Sequence, residues 1–212
     1  MLTIGLDLDE KGGPTAIAVV ETGRRNDERG KEADYRDIWF MERLSGGPVH
    51  EAMGRMAEIV DEATHRNGEK GPTLYVNVTD PGSPGLGMLR FNQVRPRMTP
   101  VYLTEGDERT EADGQVKLGK DRLVSRLQKL LKDARLRALE EARAGAVELK
   151  QELMDYRIGD EPGPLMVALG LAVHKERNRV GRIITWGGPG SPNPYRNLSA
   201  EQGIRDWLDS LH

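Results

Sequence analysis

The N-terminal stretch 1–21, MLTIGLDLDEKGGPTAIAVVE, contains the clearest fold signal of the chain. Two runs rich in apolar and β-branched residues, 2–8 and 15–21, flank a Gly-Gly-Pro turn, which predicts the first hairpin of a β-sheet. Asp7 lies inside the first run, between two leucines. Because strand interiors are depleted in aspartate and an unpaired buried carboxylate is costly, Asp7 is the first candidate functional residue.

Asp7 has two interpretations. A divalent cation would remove the cost of its burial, and carboxylates inside a sheet are suited to holding Mg²⁺ or Mn²⁺ for phosphoryl transfer. In the structural interpretation, Asp7 ends its strand and is capped by the Gly12-Gly13 turn or paired with an arginine. Asp9 follows on the same side of the strand, where it is a candidate metal ligand and equally a candidate turn residue.

Composition limits the classes of protein that this chain can represent. Its 212 residues suffice for one domain with a sizeable core. A net charge of −3 does not by itself indicate a nucleic-acid-binding protein, although a local basic face could supply phosphate contacts. The absence of cysteine excludes disulfides and thiolate zinc sites. With no long apolar run and no signal-peptide pattern, we expect a cytoplasmic protein that does not contact membranes.

Hydrophobic periodicity predicts the element order β-β-β-α-β-β-α-α-α. Three opening strands followed by strands that alternate with helices favour a mixed α/β sheet with helices on its faces. A charged hairpin tip is expected over 22–34 and a polar loop over 105–115. The elements predicted after the first hairpin are a strand at 35–44, a helix at 48–67, strands at 73–79 and 99–104, a brief edge strand at 116–118, and helices at 120–137, 140–156 and 165–174.

Four segments in order resemble the nuclease domain of phage large terminases. The matching segments are IGLDLDEKGGPTAIAVVE for the first hairpin, LYVNVTDPGSPG for the second acidic strand and its turn, TPVYLTEGDERTEADGQVKLGKDRLVSRLQKLLKDARLRA for a strand, loop and helix, and LKQELMDYRIGDEPGPLMVALGLAVH for the closing pair of helices. Together they cover most of residues 2–174. The resemblance implies an RNase H-like α/β fold, which that family shares with Holliday-junction resolvases.

The resemblance also implies a chemistry and partners. That family cuts DNA with two metal ions held by three or four carboxylates, which implies Mg²⁺ or Mn²⁺ as cofactor and double-stranded DNA as partner. The packaging ATPase of that family has no counterpart in this sequence. A stand-alone protein of phage or prophage origin, working with a separate ATPase or another phage protein, is therefore expected.

Only Asp7 matches the acidic positions of that family directly. Asn77 takes the place of the aspartate on the second acidic strand, and Asp80 follows three residues later. Gly163-Pro164 takes the place of the aspartate pair at the start of the last helix, and 160–161, Asp-Glu, precede it by three residues. An asparagine contributes no charge, so these departures weaken the binding of Mg²⁺, which relies on carboxylates.

Two hypotheses follow from these departures. In the first, displaced carboxylates restore an active two-metal endodeoxyribonuclease, with Asp7, Asp80, Asp160 and Glu161 as catalytic residues and Asp7, Asp9, Asp80 and Asp160 as metal ligands. In the second, which the double loss favours, the site is degenerate, and the alternative function is a non-catalytic DNA- or protein-binding relative that retains only the fold. A nucleotide-binding protein of the actin and sugar-kinase type is disfavoured, because 212 residues leave no room for its second lobe.

Lys120 and Arg122 are the candidate nucleic-acid-binding residues, because the resemblance places a lysine near the start of this helix, where it could contact phosphate. Solvated charges on an amphipathic helix are the equal alternative. The adjacent GQVKLGK resembles a P-loop, but Asp121 replaces the required Ser or Thr, so we regard this match as chance.

The sequence predicts a domain over 1–176 and a C-terminal tail with a short helix over 177–212. Arginines interleaved with Trp186 and Tyr195 could contact nucleic acid by charge and stacking. Ile183, Ile184 and Trp186 form an apolar group that favours docking of the tail on the domain instead.

Overall fold

The fold is described by a computed structural model for residues 1–8, 13–26, 32–44, 49–68, 71–78, 87, 97–112, 114–157 and 159–175. Within these ranges the strands are β1 (Leu2–Asp7), β2 (Thr15–Asn26), β3 (Glu32–Leu44), β4 (Thr73–Asn77), β5 (Arg97–Thr104), β6 (Arg109–Ala112), β7 (Gln115–Gly119) and β8 (Leu136–Ala138). The helices are α1 (Val49–Asn67), α2 (Lys120–Lys132), α3 (Arg143–Asp155) and α4 (Pro164–Val173), with a 3₁₀ helix at Glu140–Ala142.

The eight strands form one mixed sheet in the order β6-β7-β5-β4-β1-β2-β3-β8. The first three strands form an antiparallel meander, and β1 is also the parallel neighbour of β4. Strand β5 continues the parallel pairing beyond β4. The predicted α/β fold class, a mixed sheet flanked by helices, is confirmed, with the RNase H-like order β3-β2-β1-β4-β5 at its centre.

Helices cover both faces of the sheet. On one face, α1 packs its Met53 and Met56 with Ile4 and Leu6 of β1 in one buried cluster. On the other face, α2, α3 and α4 form a second and larger cluster with alternate residues of the strands. Because side chains alternate along a strand, Gly5 and Asp7 face the second cluster, and α4 lies directly against Gly5.

The opening hairpin is longer than predicted. The charged tip expected over 22–34 is mostly strand, because β2 runs to Asn26 and β3 starts at Glu32. Cross-strand ion pairs stabilise this charged extension, since Arg24 lies 3.1 Å from Glu32 and Arg25 lies 2.5 Å from Asp37. Periodicity alone did not detect the extension, because its charges stabilise by pairing rather than by burial.

The polar loop expected over 105–115 contains the edge strand β6. Arg109 on β6 donates a hydrogen bond to Glu111 at 2.6 Å, and charged side chains of this kind are normal on an edge strand. The segment 116–118 was predicted to be an edge strand, and this was wrong because β7 pairs with β5 on one side and β6 on the other.

The predicted helix over 120–137 ends earlier, at Lys132, and its last apolar residue belongs to β8. The turn at Ala134, with φ of 50°, breaks the helix. β8 then pairs with β3, and Arg137 donates two hydrogen bonds to Asp37 at 3.0 and 3.1 Å. Local hydrophobic periodicity cannot predict this ion pair, because its two residues lie 100 positions apart in the chain.

Several predictions lie outside the described residues, namely those concerning Asp9, Asp80 and the tail 177–212. The domain boundary at 176 therefore stays a prediction. None of the helices in the described ranges has both the length and the apolar content that crossing a bilayer requires.

His174 follows α4 and is buried in a T-shaped contact with the Tyr75 ring, with ring centroids 4.4 Å apart. Its Nδ1 lies 2.7 Å from the carbonyl oxygen of Leu171, which can only accept, so Nδ1 carries the proton. Its Nε2 is buried without a hydrogen-bond partner among the described residues. Burial lowers the pKa of His174 from 6.5 to about 4.

We expect this lowered pKa to make the protein less stable in mild acid. Above pH 6.5 the histidine is neutral in both states, and between pH 6.5 and about 4 only the unfolded state takes up the proton. At 1.36 kcal/mol per pKa unit, on the order of 3 kcal/mol of unfolding free energy is lost across this window. Urea unfolding of the wild type and of His174→Asn, whose amide can still reach the Leu171 carbonyl, at pH 7 and pH 4.5 measures the effect. An equal acid loss in both proteins would contradict the assignment.

Candidate acidic site

Asp7 lies at the end of β1 and Asn77 at the end of β4, directly opposite each other in the parallel register. The two side chains therefore share the face of the sheet that α4 covers. Asn77 Nδ2 donates a hydrogen bond to Asp7 Oδ1 at 2.6 Å. An ionised carboxylate only accepts, so the amide must turn its NH₂ group toward Asp7. The half-buried Asp7 is thus stabilised by a neutral donor from the neighbouring strand.

Perpendicular to the strands, Asp7 pairs with Ala16 of β2, and Ala16 pairs in turn with Arg43 of β3. These paired residues form a row whose side chains lie on the same face of the sheet. With strands ~4.8 Å apart, Arg43 lies roughly 10 Å from Asp7 along the row at the level of the backbone. Ala16 between them is fully buried and small. The row therefore places a carboxylate and a guanidinium on one face of the sheet, with no charged side chain between them.

Glu152 of α3 lies between Arg43 and the N-terminus of α4. Its side chain is 8% exposed, and it forms a close ion pair with Arg43. Its Oε1 accepts a hydrogen bond from the backbone N–H of Leu165 at 3.2 Å, and its Oε2 accepts one from Met166 at 2.8 Å. The carboxylate thus caps a helix whose own first residues, Gly163-Pro164, provide no capping side chain.

Gly163 provides the space for this cap. A Cβ at Gly163 would lie 2.4 Å from Glu152 Cδ, so any larger residue would displace the carboxylate. At the helix start where the sequence has Gly163-Pro164 instead of an aspartate pair, the capping carboxylate is therefore supplied by the preceding helix. Glu152 and Arg43 were not predicted from the sequence. The one sequence signal for them is that the helix starting at Gly163-Pro164 has no capping residue of its own and therefore needs an acceptor from elsewhere.

Asp160 and Glu161 lie in the connection between α3 and α4, and both are exposed. Asp160 accepts a hydrogen bond from the backbone N–H of Arg157 at 3.2 Å, which closes a local turn. Glu161 pairs with Lys120 at 2.5 Å. Both acidic residues border a cleft of about 470 Å³ that also contains Arg43 and Glu152. The structure thus brings these two predicted site residues to the N-terminus of α4.

Lys120, at the start of α2, lies between two carboxylates. Its Nζ is 2.7 Å from Glu105 and 2.5 Å from Glu161. The hydrogen bonds that it donates to Glu105 and Glu161 raise the pKa of Lys120 above its ordinary value. Arg122 is exposed two residues further on. A phosphate would have to compete with both carboxylates for Lys120, whereas Arg122 is open to solvent.

The described residues do not fit the metal pair that the sequence resemblance implies. In the described ranges, no three histidine, aspartate or glutamate side chains gather so that they could hold a metal ion. Asp7 is accompanied by an amide, and the carboxylate of Glu152 is occupied by Arg43 and two backbone N–H groups.

Comparisons with known proteins were made by sequence and by structure. No protein-family model matches the chain, and no curated protein matches its sequence. Among solved structures, the chain is similar to the Mn-soaked human cytomegalovirus terminase nuclease domain. The TM-score is 0.49, with 14% sequence identity over 80% of each chain.

Proposed function

We propose that this chain is a terminase-nuclease-like protein of phage or prophage origin that associates with double-stranded DNA and whose acidic site is degenerate. The ordered sequence resemblance over 2–174 supports the class of protein. The RNase H-like order of the strands agrees with it. Cleavage of DNA by such a protein is weak or lost.

The hydrogen bond from Asn77 to Asp7 is the observation that carries the proposal. At the position where the resemblance expects a second carboxylate, the structure has an amide that donates to the first. A divalent ion at Asp7 would have to displace this donor, and Asn77 would offer it a neutral amide oxygen where an aspartate would offer a charged one. Since affinity for hard cations depends on the number of charged ligands, an amide at position 77 lowers the affinity of this site for Mg²⁺ or Mn²⁺.

A non-catalytic DNA- or protein-binding relative is the alternative function. The pairing of Arg43 with Glu152 favours it, because the carboxylate nearest the start of α4 is used to cap that helix. In this alternative the fold is retained for assembly and Asp7 is a structural residue.

We expect Asn77→Asp to increase affinity for Mn²⁺ by on the order of tenfold over the wild type, because it restores a second carboxylate beside Asp7. Calorimetric titration with Mn²⁺ measures this change. Asp7→Ala in the Asn77→Asp background is the matched control and should abolish the gain. No difference between Asn77→Asp and the wild type would contradict the placement of a former metal site at this pair.

Activity and DNA association are tested separately on the full chain. Plasmid DNA incubated with Mn²⁺ and the wild type should remain as supercoiled as it does with Asp7→Ala. Cleavage by the wild type that disappears in Asp7→Ala would refute the degenerate site and support an active nuclease. Gel-shift titration with double-stranded DNA should show binding by both proteins. Failure of both to bind would refute DNA association and leave the protein-binding alternative.

A further inference from the structure

The face of the sheet opposite Asp7 contains a small apolar pocket between α1 and β3. Its volume is about 200 Å³. Leu2, Val19, Ile59 and Ala63 form its apolar lining with the rings of Trp39 and Phe40. An enclosed apolar cavity of ~150 Å³ holds a benzene ring, so this pocket has room for one aromatic side chain.

A β-bulge brings both aromatic rings to this pocket. The register between β2 and β3 shifts at Val19/Val20, which pair with Phe40 and Ile38 and leave Trp39 as the extra residue. Two consecutive residues of β3 therefore pack toward the same face, where a regular strand would present only one.

The pocket wall is held in place by polar contacts. Trp39 Nε1 donates a hydrogen bond to Glu21 at 3.0 Å. The guanidinium of Arg66 lies 4.8 Å from the centre of the Trp39 ring and pairs with Glu62 at 2.9 Å. An incoming ring thus meets a preformed site rather than a mobile one, which lowers the entropic cost of binding.

The charge at the rim selects the occupant. Glu62 balances Arg66, whereas Glu141 on the 3₁₀ helix is exposed and has no ion pair within the described part of the chain. Glu141 therefore leaves a negative charge without an ion-pair partner among the described residues beside the apolar floor of the pocket. Pockets for free small molecules occupy ~300–1,000 Å³, so a pocket of this size suits a single side chain of a larger partner.

We propose that this pocket binds an aromatic side chain of a partner protein, with an adjacent lysine or arginine placed at Glu141. A buried aromatic anchor with a charged neighbour at the rim is the arrangement that concentrates binding energy at protein interfaces. The site lies on the face opposite Asp7 and does not depend on metal binding or DNA cleavage.

Three blocked dipeptides test the proposal with the full ¹⁵N-labelled chain, observed through the indole N–H signal of Trp39, which Trp39→Phe identifies. Acetyl-Phe-Lys-amide should shift this signal saturably, with a Kd on the order of a millimolar, as expected for a single anchor. Acetyl-Phe-Glu-amide should bind about threefold more weakly, the size of one exposed ion pair. Acetyl-Ala-Lys-amide should not shift the signal.

Glu141→Lys should reverse the order of affinity, so that acetyl-Phe-Glu-amide binds more tightly than acetyl-Phe-Lys-amide. Glu140→Lys, at the adjacent exposed position, should leave the order of affinity unchanged. Absence of a saturable shift with acetyl-Phe-Lys-amide would overturn the proposal that this pocket binds a partner's side chain. An equal shift with acetyl-Ala-Lys-amide would overturn the aromatic anchor. An order that Glu141→Lys leaves unchanged would overturn the role of Glu141.

Discussion

Replacing Gly5 with alanine is expected to cost about 3 kcal/mol of unfolding free energy. A Cβ at Gly5 would lie 1.9 Å from the carbonyl oxygen of Ala168 and 2.7 Å from the backbone nitrogen of Ala172. Both are backbone atoms of α4, so no side-chain rotation can relieve the overlap. The helix would have to move away from β1, which opens the larger of the two cores.

Urea unfolding of Gly5→Ala beside Gly54→Ala measures this effect. Gly54 lies on the exposed side of α1, where an added Cβ has nothing within 4 Å. Alanine there should stabilise by about 0.5–1 kcal/mol through helix propensity alone. An equal unfolding midpoint for Gly5→Ala and the wild type would show that α4 does not press against β1 as described.

Glu152→Ala should have the second large effect, a loss of about 3 kcal/mol in the free energy of unfolding. It leaves the guanidinium of Arg43 without its close partner and the backbone N–H groups of Leu165 and Met166 without acceptors. Most of the loss comes from the two backbone N–H groups left without acceptors at the start of α4, because the side chain of Arg43 is 34% exposed and Glu148 remains 3.6 Å from it.

Glu148→Ala is the matched control, because Glu148 lies 3.6 Å from the same arginine but its side chain is 52% exposed. Its removal should change stability by no more than about 0.5 kcal/mol. Hydrogen exchange should show that Glu152→Ala loosens the first turn of α4 before the rest of the domain. A similar small effect for both variants would mean that the cap does not hold α4.

The candidate site was partly predictable from the sequence. An aspartate between leucines in a β-branched run is anomalous without any structure, and Asp7 and Asn77 do meet at neighbouring strand ends. The register of β1 against β4, and hence the 2.6 Å hydrogen bond, depends on pairing between segments 70 residues apart. Glu152 was beyond local reasoning, because its burial depends on Arg43, which is 109 residues away in the chain.

The fold shows the same division. The hairpin and α1 are predictable from hydrophobic periodicity, because their apolar residues recur on the side that faces one buried cluster. Helix α4 is predictable from its continuous apolar run, which is buried throughout. The polar strand β6 and the three-residue β8 are not predictable in this way, because they are stabilised by pairing with β7 and β3. Short polar strands carry no amphipathic pattern, so only their neighbours define them.

The α/β class and the position of a carboxylate inside the first strand follow from local apolar patterns along the chain. Tertiary structure decided which groups accompany that carboxylate. Asp7 receives an amide from β4, and the start of α4 receives a carboxylate from α3 with its arginine from β3. Such contacts join distant segments and are set by strand register and helix packing, so a local pattern in the sequence does not reveal them.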